Sequence, residues 1–172
     1  MEIVANIFQR FFGVRNSAIN PKIITKEIHK IEKKLIDFDA LKIINRLKRF
    51  GFDAYIVGGA LRDCLLGRVP KDFDVVTNAT PKEIKKIFTN GRVIGKRFKL
   101  VHIIFANKYI EVATFRANEK YFKKLSNNDQ SVDENPSFKR ENSFGNMKSD
   151  VIRRDFSINA LYYDPESETI ID

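Results

Sequence analysis

Asp72 and Asp74 stand two residues apart in the stretch KDFDVVT, with Phe73 between them and Val75–Val76 behind. Alternate residues of a strand point to one face, so the two carboxylates are expected side by side. Like charges so placed raise each other's proton affinity. Exposure to water relieves most such pairs; a divalent cation is the other relief. Mg²⁺ takes oxygen ligands in an octahedral shell and keeps contacts to substrate phosphates. Two such ions about 3.5–4 Å apart activate an attacking oxygen and stabilise a leaving one. Glu111, alone in the apolar run YIEVATF, is the candidate third carboxylate, because a glutamate there is costly unless paired or metal-bound. A water-facing glutamate on an edge strand, near Arg116, is the plainer account.

Phosphate groups call for cations and free backbone N–H groups. Gly58 and Gly59 lie between the strand pattern AYIV and the helix pattern ALRDCLL. A glycine pair there lets backbone approach a ligand and points N–H groups at it. A tight turn explains the pair equally well. The spacing is not the dinucleotide fingerprint, and no Gly-x-x-x-x-Gly-Lys-Ser/Thr loop is present. Arg62, Lys71, Lys96 and Arg97 are the cations available to phosphate. Arg153, Arg154 and Asp155 are available to base or ribose. This set points to phosphoryl or nucleotidyl transfer. His29 and His102 are not required, since a hydroxyl beside Mg²⁺ loses its proton without a histidine base. His102 sits in a strand pattern and is expected to be packed or hydrogen-bonded.

These residues need elements to hold them. The stretch DFDALKIINRLKRFG is an amphipathic helix, with Leu41, Ile44 and Leu47 in one stripe and Ala40, Ile43 and Phe50 beside it. Asp39 is expected to cap its start and Gly51 its end. Lys42, Arg46 and Lys48 are expected on a solvated face. FDVVT is a strand, and Thr80 to Glu83, with Pro81, is a capping box opening a second helix. RFKLVHIIF and YIEVATFR, linked by three residues, form an antiparallel hairpin. Residues 117–149 lose periodicity and are expected to be a long mobile loop. SINALYY and ETIID close the chain as a hairpin around DPES. Residues 1–37 form a basic arm and lead-in, in which Phe8, Phe11 and Phe12 are expected to pack against the domain or a partner.

The chain has 172 residues, 43% of them hydrophobic and 31% charged, which suits a globular domain. Its formal net charge of +9 favours polyanionic partners. The single cysteine, Cys64, excludes an intrachain disulfide and a cysteine zinc site. No segment has the length and apolarity of a signal peptide or a membrane span, so the expectation is a cytoplasmic protein without a membrane partner.

The stretch IVGGALRDCLLGRVPKDFDVVTNATPKEIKKIF resembles the head domain of the class II CCA-adding enzymes and bacterial poly(A) polymerases, in the polymerase-β-like nucleotidyltransferase superfamily. The resemblance covers roughly residues 38–172. It rests on Gly-Gly-x-x-Arg-Asp-x-x-x-Gly followed by Asp-x-Asp, and IRRDFSINALYY resembles the family's closing head motif. The stretch VIGKRFKLVHIIFANKYIEVATFR and the lead-in resemble the bacterial poly(A) polymerase branch. The resemblance implies an α+β fold with a mixed, largely antiparallel sheet flanked by helices. It implies Mg²⁺, or Mn²⁺, on Asp72 and Asp74, with Glu111 as third acidic residue and Asp155 as its rival. It implies nucleotide contacts from Gly58, Gly59, Arg62, Asp63, Lys71, Arg97, Arg154 and Asp155. The implied reaction is template-independent addition of AMP from ATP to RNA 3′ ends. CCA addition, and an inert RNA-binding head, are the alternatives. Lys148 and Ser149 depart from the acidic pair common before Arg-Arg-Asp-Phe. The neck and body of the family are expected to lie outside these residues, leaving the head alone weak or inactive.

Overall fold

The computed structural model describes residues 20–95, 99–117 and 144–172. The elements in chain order are β1 (Ile23–Ile24), α1 (Lys26–His29), α2 (Phe38–Arg49), β2 (Ala54–Val57), α3 (Gly59–Leu65) and β3 (Asp74–Thr77). There follow α4 (Pro81–Ile87), β4 (Gly91–Ile94), β5 (Leu100–Ile104), β6 (Tyr109–Thr114), α5 (Met147–Arg153), β7 (Tyr162–Asp164) and β8 (Thr169–Ile171). The strands form one sheet in the order β1-β8-β7-β2-β3-β6-β5-β4. Only β3 and β6 pair in parallel among the described residues. The fold is α+β, a mixed and mostly antiparallel sheet flanked by helices.

One register row crosses all eight strands: Ile23, Ile171, Tyr162, Val57, Asp74, Glu111, His102 and Arg92. Residues in register share a sheet face, so this row defines the face of the acidic residues. The adjacent row contains Ile24, Ile170, Tyr163, Ile56, Val75, Val112 and Val101. It joins Ile43, Ile44 and Leu47 of α2, Leu61 of α3 and Ile84 of α4 in the main core. On the acidic face a smaller cluster of Val57, Val76, Phe115 and Tyr162 packs with Met147 and Val151 of α5. Helices thus cover one face widely and the other in part, as a half-open sheet with a site requires.

Several local expectations change. Helix α2 begins two residues earlier than a cap at Asp39 implies, and Asp37 caps it by accepting the Asp39 and Ala40 N–H groups at 2.8 and 3.3 Å. Asp39 is already inside the first turn. Phe50 falls at the helix end and is 59% exposed rather than beside the stripe. Lys48 is not simply solvated, for it pairs with Asp164 and Glu166 and ties α2 to the last hairpin. Regular structure precedes Asp150: Phe144 bridges Arg116, and Asn146 and Ser149 form a capping box for α5. Residues 118–143 of the expected loop lie outside the described residues, as do residues 1–19. Ser157–Asn159 form a 3-10 turn instead of strand, and Arg154 Nη1 donates to the Asn159 carbonyl at 3.2 Å. The lead-in is part of the sheet. Lys22 and Asp172 exchange backbone hydrogen bonds, and buried His29 donates from Nε2 to the Glu168 carbonyl while its Nδ1 accepts the Ile31 N–H. No helix among the described residues is long and apolar enough to cross a membrane.

At the start of α4 the Thr80 hydroxyl accepts the Glu83 N–H, and Glu83 accepts the Thr80 N–H at 2.7 Å. Thr80→Ala removes the hydroxyl that accepts the Glu83 N–H and leaves the Glu83 carboxylate only the backbone N–H of residue 80. It is expected to lower unfolding free energy by about 1 kcal/mol in urea titrations; an unchanged midpoint would rule out a stabilising cap.

Candidate active site

Strand β2 ends at Val57 and the chain turns at Gly58 with φ +82°, a conformation that L side chains rarely adopt. A Cβ there would lie 3.5 Å from Asp74 Oδ2, so the turn runs alongside that carboxylate. Gly59 opens α3, and no side chain among the described residues caps this helix. The Arg62 guanidinium folds back over Gly59, with Nη2 3.2 Å from where a Cβ would sit. Asp63 accepts from Arg62 at 3.0 Å and holds that pose. Cys64 is buried, and burial, with the nearby Asp63 charge, pushes its thiol pKa up. It packs as a small apolar residue.

Asp74 is the first residue of β3, directly opposite Glu111 of the parallel strand β6. Burial of its surroundings raises its proton affinity, and the charges of Glu111 and then Asp72 raise it further, against the opposing pull of Arg154. Solvent still reaches the carboxylate. Asp72 precedes the strand and is exposed, as is Lys71. Glu111 contacts His102 across the β5–β6 pair, Nε2 to Oε1 at 3.2 Å. His102 stacks on Tyr109 with ring centroids 4.1 Å apart and planes at 9°.

Arg154 reaches this face from the end of α5. Its anchor is Asp150, which is fully buried and accepts from Arg153 Nε, Arg154 Nε, the Tyr162 hydroxyl and the Arg116 N–H at 2.7, 3.0, 2.8 and 3.1 Å. Burial alone would raise the Asp150 pKa; the charges of Arg154 and Arg153, with the hydrogen bonds, reverse this and hold it below the usual carboxylate range. Arg154 also lies 5.6 Å from the Tyr162 ring centroid.

The structure therefore brings together Gly58, Asp72, Asp74 and Glu111, with Arg62 over the neighbouring Gly59 and Arg154 close enough for its charge to act on Asp74. It does not bring Asp155 in: that carboxylate is exposed, accepts the Phe156 N–H at 2.8 Å, and is not among the charges acting on Asp74. Arg153 pairs with Asp150. Lys96 and Arg97 lie outside the described residues. Two participants escaped the sequence: the His102 contact with Glu111, and Asp150. The arginines three and four residues after Asp150 were the available signal. Among the described residues, no group of three or more His, Cys, Asp or Glu side chains is placed to hold a metal ion by itself. A pair of carboxylates is nonetheless the share that a protein gives to Mg²⁺ that keeps water and phosphate ligands. Asp72 and Asp74 fit that share, and their mutual repulsion would be relieved by it.

Residues 54–172 match the family described as the poly A polymerase head domain. The chain is 46% identical over 153 residues to poly(A) polymerase I of Salmonella typhi, covering 87% of this chain and 32% of that protein. It is 38% identical over 133 residues to the CCA-adding enzyme of Geobacillus kaustophilus, covering 77% of this chain and 30% of that one. The crystal structure of Bacillus stearothermophilus CCA-adding enzyme in complex with CTP superposes with a TM-score of 0.59 at 33% identity, covering 76% of this chain and 28% of that chain. The chain thus spans about a third of the length of the relatives it matches.

Two outcomes follow from the charges. The Asp74 pKa is raised on folding, so its ionised form opposes the native state once pH exceeds the unfolded carboxylate pKa. Without divalent cation, Asp74→Asn is expected to raise the melting temperature at neutral pH, and the gain should vanish as pH falls below the carboxylate range. The Asp150 pKa is lowered, so its contribution is present above the unfolded value and lost as pH falls through the folded one. Asp150→Ala leaves two arginines beside an empty buried site and is expected to cost about 3–5 kcal/mol in denaturant titrations at neutral pH. A loss under 1 kcal/mol would show the pairing to be incidental.

Proposed function

This chain belongs to the poly A polymerase head-domain family, within the polymerase-β-like nucleotidyltransferases, and from that premise we propose that in its full-length context it adds AMP from ATP to RNA 3′ ends. The observation that carries this reading is the placement of Asp74 opposite Glu111, beside the Gly58 turn and under the charge of Asp72. Plain RNA binding gains nothing from carboxylates facing phosphate.

In this reading the RNA 3′-hydroxyl attacks the α-phosphorus of ATP. The new bond joins O3′ to that phosphorus, the bond to the bridging oxygen breaks, and pyrophosphate leaves with its electron pair. The hydroxyl proton passes to solvent. Mg²⁺ held by Asp72 and Asp74 would supply Lewis-acid stabilisation of the attacking and leaving oxygens. Glu111 is the third carboxylate of the site. The Gly58–Gly59 backbone and Arg62 hold the triphosphate, with Asp63 fixing the guanidinium. Lys71 and Arg97 add positive charge, and Arg154 approaches the nucleotide from α5, positioned by Asp150. Asp155 is left as a residue near ribose or base, not as an acidic partner of Asp74. Higher identity to poly(A) polymerase I than to the CCA-adding enzyme, and the β4–β6 sequence, support ATP as the nucleotide.

Labelled RNA, Mg²⁺ and each nucleoside triphosphate, supplied separately to the full-length protein, are the test. Long addition from ATP alone is expected, and Asp72→Ala or Asp74→Ala is expected to reduce it by about a hundred- to a thousandfold, the range lost when one preorganised electrostatic contributor is removed. Addition that stops after C, C and A would favour CCA synthesis instead. Near-normal extension by both variants would refute the metal assignment. Residues 1–172 alone should bind RNA in a salt-sensitive manner and extend it poorly.

A further inference from the structure

Tyr109 opens β6 on the same face as Glu111, two residues before it. One side of its ring is covered by His102, yet the residue remains 54% exposed. The ring is thus stacked on one side and accessible to solvent. His102 is half-buried and fixed through Nε2 to Glu111, so the pair is held in place before any ligand arrives. Ile104, opposite Tyr109 in register, is exposed as well. Arg92 lies in register with His102 on the outer strand and is exposed. Asp74, Glu111, His102 and Arg92 thus run in one row towards the sheet edge, with the open ring beside it.

We propose that the Tyr109 ring, braced by His102, is the stacking platform for the terminal base of the RNA whose 3′-hydroxyl is extended. This rests on the nucleotidyl-transfer reading and adds the location of the acceptor strand. Single-stranded nucleic acid binds through aromatic rings that stack its bases and cations that meet its backbone, and such stacking tolerates any base. An acceptor whose terminal base changes identity between RNAs needs that tolerance. The position is also suitable. The ring rises from β6 two residues before Glu111 and leans on His102 of β5, on the side of Glu111 away from β3 and the Gly58 turn, so a base stacked on it lies beside the carboxylates. Arg92, and a chain of formal charge +9, complement the phosphates that follow.

RNA bearing 4-thiouridine at its 3′ end, irradiated with the full-length protein, is expected to crosslink to the peptide containing Tyr109. Tyr109→Ala is expected to weaken RNA binding by roughly five- to a hundredfold, the range for loss of one base stack, with the KM for ATP within about twofold of the parent. Tyr109→Phe, which keeps the ring, is expected to retain RNA affinity. If Tyr109→Ala fails to fold, as judged by circular dichroism, the crosslink on the parent protein decides. Parent-like RNA affinity in folded Tyr109→Ala, or a crosslink elsewhere only, overturns the platform even if nucleotide addition proceeds. Asp74→Ala separates the two readings. It should retain the crosslink while losing addition, so a chain that never adds nucleotides but crosslinks through Tyr109 would sink the activity and leave the platform standing.

Discussion

The parallel pairing of β3 with β6 sets Asp74 opposite Glu111, and the rest of the site answers that like-charge contact. In a parallel ladder the two residues cannot diverge without breaking the sheet, so repulsion is fixed into the backbone register. The surroundings leave it partly uncompensated. Gly58 brings main chain rather than a side chain up to Asp74. His102 takes one oxygen of Glu111. Among the described residues, the charge of Arg154 is what lowers the Asp74 pKa. An arrangement that tolerates such a contact, with backbone N–H groups and Arg62 close by, is suited to a ligand bringing cation and phosphate together.

Arg154 links this contact to a second one deep in the domain. Its charge acts on both Asp74 and Asp150, and Asp150 is satisfied by four donors from α5, β7 and the segment after β6. A buried ion pair is a weak source of stability because desolvation offsets much of its attraction. Its value here is directional. Helix α5 is short and its apolar contacts are few, so the fixed carboxylate decides where the helix ends and which way Arg154 leaves it.

Much of this was legible because it depended on local chemistry. The Thr80–Glu83 box, the β5–β6 hairpin and the stripe of α2 follow from spacing alone. Glu111 stood out as a charge among apolar neighbours, while the strand period expected for Asp72 and Asp74 does not reach Asp72: β3 begins at Asp74, and Asp72 lies just before it, where its charge still acts on Asp74. What could not be read came from distant pairing. The contact of Lys48 with Asp164 and Glu166 joins residues more than a hundred positions apart. His102 acquired its partner through cross-strand register, and the Asp155 carboxylate accepts the N–H of its neighbour Phe156. Helix α5 was hidden in a polar stretch whose cap, Asn146 with Ser149, lacks the usual acidic residue.

The sheet order also has a meaning in time. Strands β2, β3, β6, β5 and β4 lie side by side and come from residues 54–114. They can assemble, with Asp74 against Glu111, while the chain is still being made from its N-terminus. Through that interval β2 presents an unpaired edge, because its second neighbour is Tyr162–Asp164. Ile23 and Ile24 wait longer still, since they pair only with β8. An open central strand is a template for any stray strand, so the interval between making residue 114 and residue 164 is when this domain is most exposed to pairing with the wrong chain.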